Sequence, residues 1–337
     1  TSITKSLEAV GTTLTRNLTV PLAAVGGAMV AVGSNFEASM SKLGAVTGAT
    51  GSDFDALSDK AIEMGSNTKY SAKEAADAMT ELAKAGMDSN ETIAAIPGVL
   101  SMASTENMEL ASAATIVSAA LNSYNMEAGD ASKVSDILAK NSNMSASGVE
   151  SLGAALAPVA GFASEVGISF EDLNAALGIL SNNGLDGAVA GEKLNAILRT
   201  MAAPSKEAAE MADSLGLSFF DASGKMKPFT QIIDEINGAT SDMGDQQKMA
   251  ALKVMFGADA IAAMLPLLRT GGDELRNYSA ALSDSSGYAD ETAAAMNDNL
   301  KGAIDELLSS LETAGIVLYQ NVGPALKEIV QVVTDLV

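Results

Sequence analysis

Residues 71–88 read SAKEAADAMTELAKAGMD, a stretch that begins and ends like a single amphipathic helix. Ser71 followed by Glu74 has the form of a capping box, in which the Ser oxygen and the Glu carboxylate satisfy free N–H groups at a helix start. Apolar residues then recur at spacings of three and four, and Gly86 is a typical helix stop. The stretch therefore predicts one α-helix that is closed at both ends.

The same pattern returns 98 residues later, where residues 169–186 read SFEDLNAALGILSNNGLD. Any amphipathic helix followed by a turn could produce this agreement. The alternative is a duplicated α-hairpin module whose copies stack and bury each other's apolar faces. The matching positions are Ser71, Glu74, Ala78, Met79, Leu82, Gly86, Met87 and Asp88 in the first stretch, and Ser169, Asp172, Ala176, Leu177, Leu180, Gly184, Leu185 and Asp186 in the second.

Similar start and stop signals predict helices along most of the remaining chain. We expect helices to open at Ser52, Asp88 and Pro204, the second of them interrupted at Pro97 and Gly98. Two more are expected at 229–237 and 245–255. One segment departs from the helical pattern: residues 217–228 combine adjacent aromatics, a turn and polar–apolar alternation, which predicts a short β-hairpin with Gly224 at positive φ.

Long helices are predicted at both ends of the chain. Residues 1–18 have amphipathic spacing, and a second helix is expected to begin near Pro21 and to continue through Met40. Residues 297–337 predict a long helix or helix pair, kinked at Gly323 and Pro324. Its end is apolar and uncapped, so we expect more sequence to follow. The apolar side of this last helix carries Leu300, Ile304, Leu307, Leu308, Leu311 and Leu318.

These signals predict an all-α protein, a multi-helix bundle or stack of α-hairpins with one short β-hairpin near 217–228. Composition agrees, because 47% of the 337 residues are hydrophobic while only 4% are aromatic, and Ala, Leu and Met are strong helix formers. We expect three parts: N-terminal helices at 1–50, a compact helical core with the duplicated hairpin at 51–295, and a long C-terminal helix at 296–337.

The composition also excludes several kinds of chemistry. The chain contains no Cys, no His and no Trp. It therefore has no thiol nucleophile, no imidazole base, and no zinc site that depends on Cys or His. Its net charge of −22 argues against a nucleic-acid-binding surface and against docking on anionic lipid, since both depend on Lys and Arg. An acidic surface can also serve solubility alone.

No catalytic residue, cofactor-binding residue or metal ligand is predicted, and we expect no enzymatic activity. Adjacent acids could flank a glycosidase cleft, but sugar platforms are scarce here, so we expect helix caps and solvated faces. Residues 221–224, DASG, are expected to form a turn, because the later ligands of a calcium loop are missing. The acidic pairs are Asp53 with Asp55, Glu171 with Asp172, Asp234 with Glu235, and Asp305 with Glu306.

The apolar segments are too short or too interrupted to span a membrane. The longest clean run, at 20–32, has 13 residues and contains Pro21, Gly26 and Gly27, so no transmembrane helix is predicted. Its small residues favour a buried or self-associating helix. The 17 methionines favour gap-filling in an Ala-rich core, with an adaptable binding surface as the alternative.

Several motifs taken together resemble one family. Residues 17–26, NLTVPLAAVG, and 35–49, NFEASMSKLGAVTGA, resemble the entry to the core region of phage tail tape measure proteins. The resemblance is colinear over about 15–325. Further matches in order are YSAKEAADAMTELAKAG at 70–86, GILSNNG at 178–184, APSK at 203–206, FDASGKMKP at 220–228 and NLKGA at 299–303.

The resemblance implies a structural, non-enzymatic role in a phage or phage-tail-like bacteriocin. Such proteins lie in the tail tube, set its length and leave ahead of the DNA. It implies a virion location in the tube lumen or at the baseplate, after assembly in the bacterial cytoplasm. The implied partners are the tube protein, baseplate or hub proteins, and copies of the chain about the tail axis, as a trimer or alternatively a hexamer. Contact with the host membrane on ejection is a further implied interaction. The competing hypotheses are a membrane-active helical protein, which forms a channel in the host envelope, and a cell-wall hydrolase.

Overall fold

The computed structural model describes residues 20–335, with side chains for residues 29–321, 323 and 324. The predicted helix at 1–18 lies outside the described residues. Over the described range the protein is all-α, as predicted, and contains one short 3₁₀ helix, Ala128–Asp130. Its sixteen α-helices are α1 Val20–Thr47, α2 Ser52–Asn67, α3 Ala72–Lys84, α4 Ser89–Glu106, α5 Leu110–Tyr124, α6 Ala131–Met144, α7 Val149–Leu156, α8 Ala160–Glu165, α9 Phe170–Asn182, α10 Gly187–Ala202, α11 Lys206–Ser214, α12 Phe229–Thr240, α13 Asp245–Phe256, α14 Ile261–Ser283, α15 Tyr288–Asn297 and α16 Leu300–Asp335.

The predicted capping box at the start of α3 is confirmed. The Ser71 hydroxyl accepts a hydrogen bond from the Glu74 N–H at 3.3 Å, and the Glu74 carboxylate accepts one from the Ser71 N–H at 2.8 Å. The helix ends at Lys84, and the chain turns at Gly86, which has a φ of 102°. There the Met87 N–H donates to the Leu82 carbonyl at 3.3 Å, which closes the end of the helix.

The second stretch folds in the same local way. Ser169 caps α9 by accepting from the Asp172 N–H at 3.1 Å, and the chain turns at Gly184, with the Leu185 N–H bonded to the Leu180 carbonyl. The same kind of ending also occurs at Gly167 and Gly216. The ending is thus a general helix stop in this chain, and the duplication of a larger module stays a prediction.

The predicted β-hairpin at 217–228 is wrong, because the described residues contain no β-strand. Gly224 has the predicted positive φ, 81°, but the arms of the turn share only one isolated antiparallel bridge, between Phe220 and Met226. Pro228 immediately begins the approach to α12 and has no N–H to extend a ladder. Leu217 and Phe219 are buried instead, and the Phe219 ring lies 6.0 Å from that of Phe256.

The predicted interruption at Pro97 and Gly98 is also wrong, because α4 runs from Ser89 to Glu106 with Pro97 inside it. Packing overrides the local signal here. A Cβ on Gly98 would lie 2.7 Å from the backbone nitrogen of Ser132, so the glycine permits α6 to approach closely. At the other end of the chain α16 is one continuous helix through Gly323 and Pro324, and the kink predicted there stays a prediction.

The helices form two compact units. The first comprises Thr1–Ser89 and Asn297–Val337, so its described helices α1, α2, α3 and α16 come from two distant parts of the sequence. In this unit α1 packs against α3 and α16, and α2 packs against α3. Its core is formed by Phe36, Met40, Leu43, Leu57, Met79 and Leu82. The predicted boundaries at 50 and 295 stay a prediction.

The second unit is the continuous segment Asn90–Met296. Helix α9 is its centre, since every residue from Leu173 to Ser181 is buried. Helix α14 packs against both α9 and α12, and α10 packs against α7. Methionine is used as predicted for a core, because Met102, Met201, Met255 and Met264 are among the buried side chains.

Candidate assembly surface

Large apolar side chains are exposed along one face of α16, which we call its outward face. Among the side chains that the structure describes, thirteen large hydrophobic residues are exposed, and seven of them lie between Leu300 and Leu318. Leu300 is 79% exposed and Leu311 is 60% exposed. A single exposed Leu needs no explanation, but a continuous apolar patch marks an interaction site. The seven residues are Leu300, Ile304, Leu307, Leu308, Leu311, Val317 and Leu318.

The opposite face of α16 packs inward and is lined at regular spacing by three small residues and one isoleucine. Gly302, Ser309, Ile316 and Gly323 stand seven residues apart, and all four are buried. The large apolar residues therefore project away from the unit, which reverses the usual arrangement of an amphipathic helix.

Helix α16 is fixed to α1 by a close contact at Gly33. A Cβ on Gly33 would lie 2.1 Å from the Tyr319 ring, so only glycine leaves room for that ring. The Tyr319 hydroxyl donates to the Glu37 carboxylate at 2.9 Å. Because this contact sets the rotation of α16 about its own axis, it also sets which side chains face outward.

The outward face is almost free of charge, although the chain as a whole is strongly acidic. The charged residues of this part of α16 lie at its margins, and Asp305 lies near Lys69. Burial lowers the pKa of the Lys69 amine below its usual value, the positive charge of Lys301 lowers it further, and Asp305 opposes both. The basic and acidic groups therefore meet beside the apolar face and leave its centre uncharged.

The acidic pair at Asp234 and Glu235 does not converge on one cleft. The Asp234 carboxylate accepts from the Gly272 N–H at 2.8 Å and from the Arg276 guanidinium at 2.9 Å, where α14 is kinked at Gly271. The Glu235 carboxylate accepts instead from the Lys227 ammonium at 2.8 Å. Its pKa is lowered, because the hydrogen bonds from Lys227 and Gln231 outweigh the opposing effect of its burial.

The remaining acidic pairs are distributed over helix starts and surfaces. Asp53 and Asp55 lie in the exposed first turn of α2. Glu171 forms an ion pair with Lys133 at 2.8 Å, whereas the neighbouring Asp172 lies in the first turn of α9. Glu306 is exposed beside the apolar face of α16. That the chain has no catalytic site stays a prediction.

The DASG segment at 221–224 is a turn, as predicted. The Asp221 carboxylate accepts from the backbone N–H groups of Ser223 at 2.8 Å and Lys225 at 3.0 Å. The Ser223 hydroxyl and then these N–H groups hold the pKa of Asp221 below its usual value. Across the described part of the chain, no group of three or more potential metal-ligating side chains is close enough to hold a metal ion.

A cavity of about 400 Å³ lies in the first unit, between α1, α2 and α16. Its walls are mostly apolar and include Phe36, Met40, Phe54 and Tyr319. Its polar groups are those of Ser41, Ser58 and Gln320, and the pair in which the Tyr319 hydroxyl donates to the Glu37 carboxylate.

No single helix in the described range is long and apolar enough to cross a membrane. One pair, Asp245–Phe256 with Ile261–Ser283, reaches that length and composition only when the two helices are taken together, and they are bent by 120° at the break between them.

The sequence indicated the apolar side of α16 but not the direction in which it points. Large apolar residues normally mark the face that packs inward, so the spacing alone suggests the opposite orientation. The signal that could have identified it is the second series, Gly302, Ser309, Ile316 and Gly323, whose spacing of seven marks a face suited to close packing.

A family model described as phage-related minor tail protein matches residues 58–257, which is more than half of the chain. The chain belongs to this family. The predicted resemblance to tape measure proteins is confirmed by this match together with two curated relatives. A tape measure protein of Pneumococcus phage Dp-1 is 33% identical over 180 residues, covering 53% of this chain and 16% of that protein. A probable tape measure protein of Escherichia phage P2 is 28% identical over 191 residues, covering 56% of this chain and 23% of that protein.

This member of the minor tail protein family spans only a fraction of the length of those two relatives, since the matched segments cover less than a quarter of each. No solved structure matches the chain. The family and both relatives support a structural role in a phage tail.

Proposed function

We propose that this chain is a structural segment of a tail tape measure protein. In this role it scaffolds assembly of the tail tube, contributes to setting tail length, and leaves the tube to assist the passage of DNA or of an injected cargo. The observation that carries the proposal is the match over 58–257 to minor tail proteins, together with an exposed apolar face on α16 that suits an assembly component.

The proposed role of this segment follows from its division into many short helices. A single helix rises about 1.5 Å per residue, so a ruler of 337 residues would have to be one continuous helix to reach roughly 500 Å. The described residues instead form sixteen helices in two compact units. This segment therefore acts as a folded body within the longer protein, at one end of the tail or at the baseplate, and other segments supply the length.

The partners in this proposal are the tail tube protein, the baseplate or hub proteins, and other copies of the chain. A trimer about the tail axis is favoured, with a hexamer as the alternative. The net charge of −22 suits a protein that lies where DNA will pass. Tight DNA binding requires Lys and Arg to neutralise the phosphates and release their counterions, and a strongly acidic surface disfavours this.

Electron microscopy of particles after deletion of the parent gene tests the tail role. We expect tails to be absent or to vary in length, and we expect complementation with the wild-type gene to restore uniform tails. Normal tails of normal length after deletion would contradict the proposal.

A membrane-active role is the alternative, and the bent pair formed by α13 and α14 is the feature that favours it. In the folded unit, however, Ala263, Met264, Leu267 and Leu268 of α14 are buried. Vesicles loaded with a fluorescent dye distinguish the two roles. Leakage on addition of the whole chain would favour the channel, whereas intact vesicles together with loss of tail-length control would favour the structural role.

A further inference from the structure

We propose that α15 is a releasable helix, which detaches from the second unit as one piece while the helices beneath it stay folded. Its release turns the sixteen residues between Ser283 and Leu300 into a linker that joins α14 to α16. The proposal goes beyond the proposed tail role and does not depend on it.

Helix α15 has very little apolar attachment to the rest of its unit. Of its ten residues only Ala289 and Ala293 are buried, and the side chain of each is a single methyl group. In α9, by contrast, every residue from Leu173 to Ser181 is buried. Local opening occurs in segments that bury few apolar groups. The release of α15 therefore exposes little apolar surface to water.

The attachment of α15 is polar and is concentrated at the start of the helix. The Asp136 carboxylate of α6 accepts from the backbone N–H groups of Gly287 and Ala289, each at 2.8 Å. Asp136 is only 6% exposed. Hydrogen bonds to an ionised group are stronger than those between neutral groups. A single side chain of α6 thus holds the beginning of α15 in place.

Two further polar contacts lie beside this carboxylate. The Lys140 ammonium, also on α6, donates to the Asp284 backbone carbonyl and lies 5.6 Å from the centre of the Tyr288 ring. The Ser101 hydroxyl of α4 donates to the Asp290 carboxylate. Both hydrogen bonds are exposed to solvent. Their loss on release costs little, because water takes the place of the protein partner.

Charge opposes the attachment. The carboxylates of Asp290 and Glu291, in the first turn of α15, lie close enough to Asp136 to repel its negative charge. Moving α15 away relieves this repulsion. The start of α15 is thus held by two directional hydrogen bonds against an opposing charge, a balance that suits a contact able to open and close.

The position of α15 in the chain gives its release a consequence. It is the last helix of the second unit, and the chain enters the first unit at Asn297. Ten residues span about 15 Å as a helix, whereas sixteen extended residues reach roughly 55 Å. Release therefore lengthens the covalent connection that leads to α16, and neither unit has to unfold.

Hydrogen exchange of the purified 337-residue chain, read from peptides by mass spectrometry, tests the proposal. In the wild type we expect the amides of 287–297 to exchange faster than those of 173–181. Asp136→Ala should raise the exchange rate of 287–297 by roughly ten-fold or more, because two N–H groups lose a charged acceptor. The rate at 173–181 should not change.

A second variant and a control separate release from general destabilisation. Asp136→Asn keeps one of the two acceptor oxygens, so it should accelerate 287–297 less than Asp136→Ala does. Asp234→Ala is the matched control, because the Asp234 carboxylate also accepts from a backbone N–H of a distant helix, that of Gly272 in α14. This control should leave the exchange of 287–297 unchanged.

Two results would overturn the proposal. One is exchange at 287–297 that is as slow as at 173–181 in the wild type, since α15 would then open only when the whole unit unfolds. The other is an equal acceleration of the two segments by Asp136→Ala, since Asp136 would then stabilise the unit in general and would not hold α15 in particular.

Discussion

At the scale of single residues, Asp136 is the carboxylate that secures the start of α15. Its two oxygens accept from the backbone N–H groups of Gly287 and Ala289, each at 2.8 Å. Burial raises the pKa of Asp136 above its usual value, the two N–H groups oppose that rise, and the nearby charges of Asp290 and Glu291 add to it. A helix start in the second unit therefore depends on an acid that holds its proton more tightly than usual.

Replacing Asp136 with Asn should change how stability depends on pH. The folded protein has the raised pKa, so it binds the proton more tightly than the unfolded chain does. The contribution of Asp136 is therefore fully present below the ordinary Asp pKa of about 3.9 and is lost as pH rises through the raised value. Urea unfolding across this range should show the wild type losing stability relative to Asp136→Asn as pH rises.

Asp221→Asn provides a control with the opposite sign. The pKa of Asp221 is lowered, so its contribution is present above the ordinary Asp pKa and is lost as pH falls. The same urea series should show the wild type gaining stability relative to this variant as pH rises. Slopes of the same sign for the two variants would contradict the assignment.

Residues differ in how far the sequence predicts their role. Ser71 and Glu74 could be paired from sequence, because a capping box is made by residues three apart. Asp136 could not, because the N–H groups that it binds belong to Gly287 and Ala289, which lie about 150 positions away. The sequence shows local hydrogen bonds but not those made between distant helices.

At the scale of elements, the starts of α3 and α9 differ in one respect that can be measured. Ser71→Ala and Ser169→Ala should each lower the free energy of unfolding by about 1 kcal/mol, because each removes a helix cap. Glu74→Ala should lower it further than Asp172→Ala, since only Glu74 returns a bond to the capping residue. Equal effects of Glu74→Ala and Asp172→Ala in urea unfolding would contradict this difference.

The crossing of α7 and α10 depends on Gly191. A Cβ at this position would lie 1.9 Å from the Ala155 carbonyl oxygen, which is backbone and cannot move aside. Gly191→Ala should therefore lower the free energy of unfolding by about 1–3 kcal/mol or more, the cost of overpacking. Gly238→Ala is the control, because this helical glycine has open space around it. This variant should raise the free energy of unfolding by about 0.5–1 kcal/mol.

Helices were predictable from sequence where their ends carried local signals. The helices beginning after Ser71 and Ser169 follow from a cap and a glycine stop. The interruption at Pro97 was wrong because contact with α6 outweighs the local preference of Pro and Gly. Which face of α16 packs inward could not be predicted either, because both of its faces have regular spacing.

At the scale of the whole molecule, the second unit is continuous in sequence and the first is not. A fragment of residues 90–296 should therefore fold alone, with a helical circular-dichroism spectrum and a cooperative urea transition, because its core around α9 comes from within the fragment. A fragment of residues 20–89 should not, because it lacks α16, against which α1 packs. A non-cooperative 90–296 fragment would contradict the division.

The pairing of distant segments in the first unit was not predictable from this single sequence. Helices α1 and α16 are separated by more than 250 residues, and nothing in the spacing of either names the other as its partner. The sequence contains the two residues that make the contact, Gly33 and Tyr319. That the Tyr319 ring packs against the Cα of Gly33 becomes visible only in the folded unit.

The contact between α1 and α16 also determines how the molecule responds to tension. The two helices are parallel, since Met29 and Val32 lie near Gly315 while Gly33 and Glu37 meet Tyr319 farther along both. A pull on the start of α1 and the end of α16 would slide one helix along the other, so all their contacts would resist together rather than separate one after another. Force applied at these two ends would be carried by α1 and α16 and not by residues 90–296. The second unit would therefore stay folded while the chain is under tension.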